Sequence, residues 1–500
     1  MTNLYDYLLS GAPDEKLAVC SRHEQVTYGE LIAMAEAIAA MLKRLDVQAA
    51  ERVALLADNS AYWIASYLAV LKIGAVAVPI PQRLSPETFI ALIKEVQCTT
   101  FCADLQRYSK YSAVFPPESC ILLPYGSSTI QGDNRVRVLE AVPRESCPTV
   151  DVCERETLAA LMFTSGSTGQ PNAVKISHHN IMANTDSIVS FLGLTTTDTM
   201  MVVLPFDYCF GTSLLHTHLR VGGTLVINNT FAFIETVVDD LEQFACTGIA
   251  GVPTVYQHLL RRSSFTRRSL PSLRQLQQAG GKLPDILMDE LTAAFPQARL
   301  FVMYGQTEAT ARLSYLPPEH LHDKRGSIGR GIPGVRLQIL DEHDQPVEPG
   351  QVGEIVAQGD NVALGYWQPD PTKNPFRDGK LYTGDLARVD SDGFMYIVGR
   401  SSEFLKLSGH RISAKEIEDA LYGLPDVLEA AVIGTQDGDA GEIAAAYLVI
   451  RNEAGLTTDQ VIRHCKARLP PYAVPHKIEF LAELPKNSAG KILKTELPKG

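Results

Sequence analysis

The stretch Phe163-Thr164-Ser165-Gly166-Ser167-Thr168-Gly169-Gln170-Pro171 crowds hydroxyls and glycines between two apolar runs, LAALMF before it and AVKI after it. Hydroxyls supply donors, and glycines let backbone N–H groups approach a bulky anion with no Cβ in the way. A polyphosphate suits such a loop; a flexible Ser/Gly turn is the other reading of the string alone. Three more clusters have residue types that could do chemistry. Met303-Tyr304-Gly305-Gln306-Thr307-Glu308 follows a predicted strand, where Glu308 could hold Mg²⁺ through oxygen or simply be solvated, and where Tyr304 could stack on a purine. Tyr382-Thr383-Gly384-Asp385 offers an aspartate able to accept from both hydroxyls of a ribose, or else an ordinary turn residue. Pro485-Lys486-Asn487-Ser488-Ala489-Gly490-Lys491 sets a lysine in a glycine-containing loop, ready to bring positive charge to a phosphate or carboxylate, or to face solvent.

The elements that must carry these clusters alternate. RVALLA (52–57) and AVAVPI (75–80) read as strands, and SAYWIASYLAVLKIG (60–74) between them has helical spacing. Further strands are predicted at 199–205, 224–228, 248–253 and 299–305. This rhythm predicts an α/β fold with parallel sheets flanked by helices. From about Ser327 short strands separated by turns predict an antiparallel β module. Near Gly399 a third pattern begins, with helices at 415–424 and 458–469 and strands at EAAVIG and IAAAYLVI. We therefore expect a large N-terminal core over residues 1–400 and a small, mobile α+β C-terminal domain over 401–500.

Bulk properties narrow the function. A net charge of −12 argues against a broad nucleic-acid face. The apolar run from Tyr67 to Pro81 is broken by Lys72 and too short to span a bilayer, and the acidic start lacks a signal-peptide pattern, so a cytoplasmic protein is expected. The nine cysteines show no paired spacing and read as mostly buried thiols. His178-His179 reads as a polar loop feature rather than a metal site. Gly329-Arg330-Gly331-Ile332-Pro333-Gly334 matches a dinucleotide fingerprint in letters only, because Pro333 and Gly334 prevent a helix from opening there.

The ordered set TSGSTGQP, YGQTE, YTGD, GRSSEFLKLSGHRI and PKNSAGK, with TYGEL at 27–31, resembles the adenylate-forming superfamily over essentially the whole chain. That superfamily includes acyl-CoA synthetases, adenylation domains of peptide synthetases and luciferases. The resemblance implies ATP and Mg²⁺ as cofactors and two half-reactions: a carboxylate attacks the α-phosphate, and a thiol then displaces AMP. It implies that Lys491, Glu308 and Thr164 are catalytic, with Glu308 the metal ligand. Thr164, Ser165, Gly166, Ser167, Thr168 and Gly169 would hold phosphates. Gly280, Gly281, Tyr304, Gly305 and Thr307 would line the adenine slot, and Asp385 and Arg400 would contact the ribose. The expected hinge falls at Ser402 or Glu403, where relatives commonly carry Asp, so that Ser402 is a departure, and Lys406 and Gly409 would serve thioester formation. Asn172 replaces a lysine common in relatives, and Lys175 lies too far along the strand to be assumed a replacement.

Phe206, Asp207, Gly211, Gly281 and Met303 occupy positions where relatives build the acyl pocket. In amino-acid-activating members an Asp after Phe pairs with the substrate ammonium; alternatively Asp207 caps the helix CFGTSLLHTHL. With FDYCFG at this place the chain looks most like stand-alone ligases that load L-proline onto a peptidyl carrier protein. An acyl- or aryl-CoA ligase for a small carboxylic acid, and a non-catalytic nucleotide binder, are the alternatives. The acceptor is a carrier's phosphopantetheine thiol or CoA, and neither nucleic acid nor membrane is expected as a partner.

Overall fold

The computed structural model describes the chain except residues 1, 83, 128–132, 140–146, 165–171, 232, 371, 373, 401–402, 408–409, 438–440, 452–454, 487–489, 491 and 499–500. Among the described residues, one sheet has seven strands in the order Val136–Val138, Cys120–Leu123, Thr100–Ala103, Arg52–Leu56, Val76–Pro79, Leu158–Thr164, Asn172–Ser177. All its pairings are parallel except the last, where Leu158–Thr164 runs against Asn172–Ser177. A nine-stranded sheet has a parallel centre, with Arg299–Tyr304, Gln275–Gln278, Gly248–Gly251, Thr199–Val202, Thr224–Ile227 and Leu17–Cys20 side by side. Its edges are antiparallel.

The helix Ala61–Lys72 shows why the two sheets meet. Ser60 caps it by accepting the N–H of Trp63, and all twelve of its residues are buried. A helix apolar on every side needs cover on every side. Trp63 stacks on Tyr67 and lies 5.2 Å from Phe206, and the Tyr67 hydroxyl meets His216 Nε2 at 2.8 Å. The helix thus ties the strands beside it to the segment that bears the acyl-pocket candidates. TYGEL is a capping box: Thr27 and Glu30 satisfy each other's backbone N–H at the start of Tyr28–Arg44.

The antiparallel module pairs Val335–Leu340, Val352–Gly359 and Lys380–Val389, with Met395–Arg400 alongside the last. It starts later than 327, because Arg330–Gly331 still pairs with the nine-stranded sheet. The fingerprint-like glycines there serve close backbone approach: a Cβ on Gly329 would stand 1.7 Å from the Tyr315 carbonyl oxygen. The C-terminal domain is small. Helices Ala414–Tyr422 and Thr458–Lys466 pack beside a sheet of Val427–Asp437, Gly441–Ile450 and Lys477–Phe480.

One sequence expectation fails here. His178-His179 is the first turn of helix His178–Leu192, not a loop. His178 is fully buried and accepts the Leu4 N–H on Nδ1, and burial lowers its pKa to about 4. Ser177 caps this helix, a signal that lies one residue before the pair.

Candidate active site

Thr164 ends one strand and Asn172 begins the next, and the two are register partners. The segment Ser165–Pro171 joins them, so Ser165, Gly166, Ser167, Thr168 and Gly169 lie outside the described residues. Asn172 is exposed. Lys175 exchanges backbone hydrogen bonds with Gly365 and Leu364, next to Tyr366.

Two side chains, one from each of two sheets, converge on the Asp385 carboxylate. Tyr304, at the end of Arg299–Tyr304, donates its hydroxyl to Asp385 Oδ2 at 2.6 Å, and Arg400 Nε donates to Asp385 Oδ1 at 2.8 Å. Asp385 and Arg400 are register partners on adjacent antiparallel strands, which fixes their side chains on one face. Asp385 is 4% exposed, and its negative charge holds the Arg400 guanidinium above the usual arginine range. Burial first and Asp385 second raise the Tyr304 phenol, so it stays a donor at every physiological pH.

Glu308 sits in the short 3₁₀ turn Thr307–Ala309 directly after that strand. Its Oε1 accepts from the Tyr366 hydroxyl at 2.8 Å, and its backbone carbonyl accepts the Ala363 N–H. Thr307 Oγ1 donates to Cys209 Sγ at 3.4 Å, which links this turn to helix Cys209–Val221. Gly305 has no alternative: a Cβ there would lie 1.9 Å from the Ala311 carbonyl oxygen. Gly280 has φ +84°, and a Cβ on it would meet Val252 at 2.9 Å and the Tyr208 hydroxyl at 3.2 Å. Gly281 lies over Pro253.

The C-terminal domain reaches this place. Thr254 Oγ1 donates to the Gly490 carbonyl at 3.2 Å, and Lys282 pairs with Asp419 at 2.9 Å. Gly490 also packs on Val252, the residue beneath Gly280. Lys491 lies outside the described residues, as do Ser402 and Gly409. Lys406 is exposed on strand Phe404–Leu407, where its N–H donates to Glu442; no described contact joins it to the site.

On the acyl side the expected residues are mostly interior. Phe206 is fully buried against Trp63, and its N–H donates to Asn59 Oδ1. Gly211 is required by packing, since a Cβ would fall 2.0 Å from the Pro205 carbonyl oxygen. Asp207 does not cap the following helix. The N-cap position is Tyr208, with no side-chain cap bond. Asp207 turns instead to the N–H of Gln82, which donates to Oδ2 at 2.7 Å. Burial pushes its pKa up to about 7, against smaller lowering by that hydrogen bond and by Arg107.

Sequence reasoning missed Arg312. It is 2% exposed, its guanidinium carbon lies 3.9 Å from the Phe210 ring centroid, and its Nε donates to Met303 Sδ at 3.4 Å. The available signal was a single charge in the otherwise uncharged run ATARLSYL after Glu308.

Residues 9–367 match the AMP-binding enzyme family, and residues 416–491 match the AMP-binding enzyme C-terminal domain. The chain belongs to the AMP-binding enzyme family. It is therefore a ligase of the AMP-forming kind, working through an acyl-adenylate. Feruloyl-CoA synthase from Amycolatopsis sp is 31% identical, with 94% of this chain and 93% of that protein covered. The solved o-succinylbenzoate CoA synthetase of Bacillus subtilis, bound to ATP and magnesium ion, is 26% identical with a TM-score of 0.84, covering 99% of each chain. The anthranilate CoA ligase AuaEII with anthranoyl-AMP is likewise 26% identical, with a TM-score of 0.88 over 99% of this chain and 96% of that one.

For this AMP-binding enzyme the large N-terminal and small C-terminal domains expected from sequence are present. Among the described residues, no group of three or more His, Cys, Asp or Glu side chains could hold a metal ion. No helix among them is long and apolar enough to cross a membrane. Seven of the nine cysteines are buried, Cys120 is half-buried and Cys153 is exposed, and all are free.

Proposed function

We propose that this protein is a CoA ligase for a small carboxylic acid, activating it with ATP and Mg²⁺ before passing the acyl group to the CoA thiol. The observation that carries this reading is the Tyr304–Asp385–Arg400 cluster, set beside Glu308 at the end of the same strand. The donor set fits a nucleotide: an interior carboxylate for ribose hydroxyls, a guanidinium beside it, and a narrow floor at Gly280 and Gly281 for a flat base. Glu308, a hard oxygen donor oriented by the Tyr366 hydroxyl, fits Mg²⁺. When bound, the metal supplies charge neutralisation at the phosphates.

The residues' own tasks follow from electrostatics. Bringing a carboxylate to a phosphate sets anion against anion, so fixed positive charge and fixed geometry lower the barrier. Lys491 supplies the charge, carried in by the loop whose Gly490 rests on Thr254. Thr164 and residues 165–169 bind the outer phosphates, and Asp385 and Arg400 hold the ribose. The C-terminal domain, moving about Ser402, then exposes the adenylate to CoA, with Lys406 and Gly409 serving that second arrangement. The core over 1–400 and the lid over 401–500 divide the work between them.

Named relatives that are CoA ligases or synthases support CoA as acceptor over a peptidyl carrier protein. The alternative, activation of L-proline, depends on Asp207 meeting an ammonium, and that carboxylate already holds the Gln82 N–H. ATP–pyrophosphate exchange across aliphatic and aromatic acids and L-proline, followed by mass analysis of the thioester, tests the reading. Exchange with non-amino acids and CoA consumption are expected; exchange with L-proline alone overturns it. Lys491→Ala should lower adenylation on the order of 100-fold or more while thioester formation from supplied adenylate falls far less.

A further inference from the structure

Arg312 is a buried cation, 2% exposed. Among the described residues no Asp or Glu pairs with it, and the one hydrogen bond its guanidinium makes is the weak one from Nε to Met303 Sδ. A guanidinium removed from water ordinarily needs a carboxylate and filled hydrogen bonds to offset the lost hydration. The ring of Phe210 beneath it recovers part of that loss through cation–π attraction, and the Met303 sulfur adds little. The backbone is held without help from this side chain: Asn184 and Asn361 both donate to the Arg312 carbonyl, and the Arg312 N–H donates to Asn184. Burial lowers its pKa only to about 10, so it remains charged.

Its position is on the acyl side of the site. Met303 directly precedes Tyr304 of the ribose cluster, and Phe210 lies in the first turn of the helix that follows Asp207. The neighbouring Cys209 is the residue touched by Thr307, next to Glu308. A substrate whose reacting carboxylate faces the nucleotide would turn its far end toward this guanidinium.

We propose that Arg312 is a specificity residue that binds a second carboxylate of the substrate, so that the acid activated is a dicarboxylic acid. The inference rests on the acyl-activating reading above. A planar fork of donors matches a carboxylate in bidentate fashion, and a site built around a buried charge rejects analogues that leave it unpaired. Lysine cannot reproduce the fork, and a neutral residue removes the preference altogether.

The test uses the full-length enzyme and pyrophosphate release. Succinate, glutarate, adipate and isophthalate are each compared with the monomethyl ester of the same acid, which keeps one carboxylate to react and loses the other charge. For the best-fitting acid, kcat/KM should exceed that of its half-ester by on the order of 30-fold or more. Arg312→Met should bring this ratio to about 1, and Arg312→Lys should keep part of it. If Arg312→Met does not fold, as judged by its circular dichroism melt, the wild-type ratio and Arg312→Lys still decide. Half-esters or monoacids turned over as well as diacids by the wild type overturn the second carboxylate and leave the ligase reading standing. An equal loss for diacid and half-ester in Arg312→Met also overturns it. No turnover of any carboxylic acid overturns both readings at once.

Discussion

The two halves of the site treat charge in opposite ways. On the nucleotide side, Asp385 is buried but complete: a phenol hydroxyl and a guanidinium fill its two oxygens. On the acyl side, Asp207 and Arg312 are buried without an ionic partner among the described residues, the first holding one backbone N–H and the second lying on an aromatic face. A completed cluster stands ready-made for a ligand shared by every turnover. On the reading proposed above, Arg312 leaves its best partner to the substrate, whereas Asp207 is occupied by a backbone N–H of its own protein. On that reading, preorganisation and selectivity sit in different residues.

This contrast can be broken from either end. The largest effect is expected at the completed cluster. Asp385→Ala removes the acceptor of Tyr304 and the partner of Arg400, and kcat/KM for ATP should fall on the order of 100-fold in pyrophosphate exchange. Its cost in stability should be smaller, about 2 kcal/mol by urea unfolding, since Arg400 is 42% exposed and can turn to water.

The acyl side should respond in the opposite direction. Asp207 has its folded pKa raised to about 7 from an ordinary 3.8, so between these values the folded state holds the extra proton. Stability from this group is fully present below pH ~4 and is lost as pH rises through about 7. Asp207→Asn keeps an acceptor for Gln82 but cannot ionise. Its unfolding free energy at pH 8, read by urea titration, should exceed that of the wild type by on the order of 2–4 kcal/mol, with the difference vanishing near pH 4. A parallel shift at both pH values would mean that burial of charge is not the cause.

The smallest effect belongs to the contact between domains. Lys282 and Asp419 form a half-exposed pair, so Lys282→Ala should change stability by less than about 1 kcal/mol. A rise of about threefold in KM for ATP is expected if the pair steadies the C-terminal domain against the core.

Much of this was legible in the chain. Strand–helix alternation gave the layered architecture, and the motifs named Tyr304, Asp385 and Arg400 before their hydrogen bonds were known. What escaped was whatever depends on a partner far away in sequence. Asp207 finds Gln82, and nothing within either segment announces the other. Arg312 looks like any arginine until its surroundings prove apolar. Gly211 gives no local sign that the Pro205 carbonyl excludes any side chain from its place. Composition and periodicity report what one stretch prefers; desolvation is decided by everything around it.

Val252 carries a consequence for how the lid meets the core. Two glycines press on its side chain from different domains, Gly280 at 2.9 Å and Gly490 at 3.2 Å as measured to the Cβ each lacks. One valine therefore acts as a spacer common to the Gly280 turn of the core and the tail loop. A single added methylene, as in Val252→Ile, would lengthen only one of the two γ branches, crowding one glycine directly and reaching the other only through the shared valine.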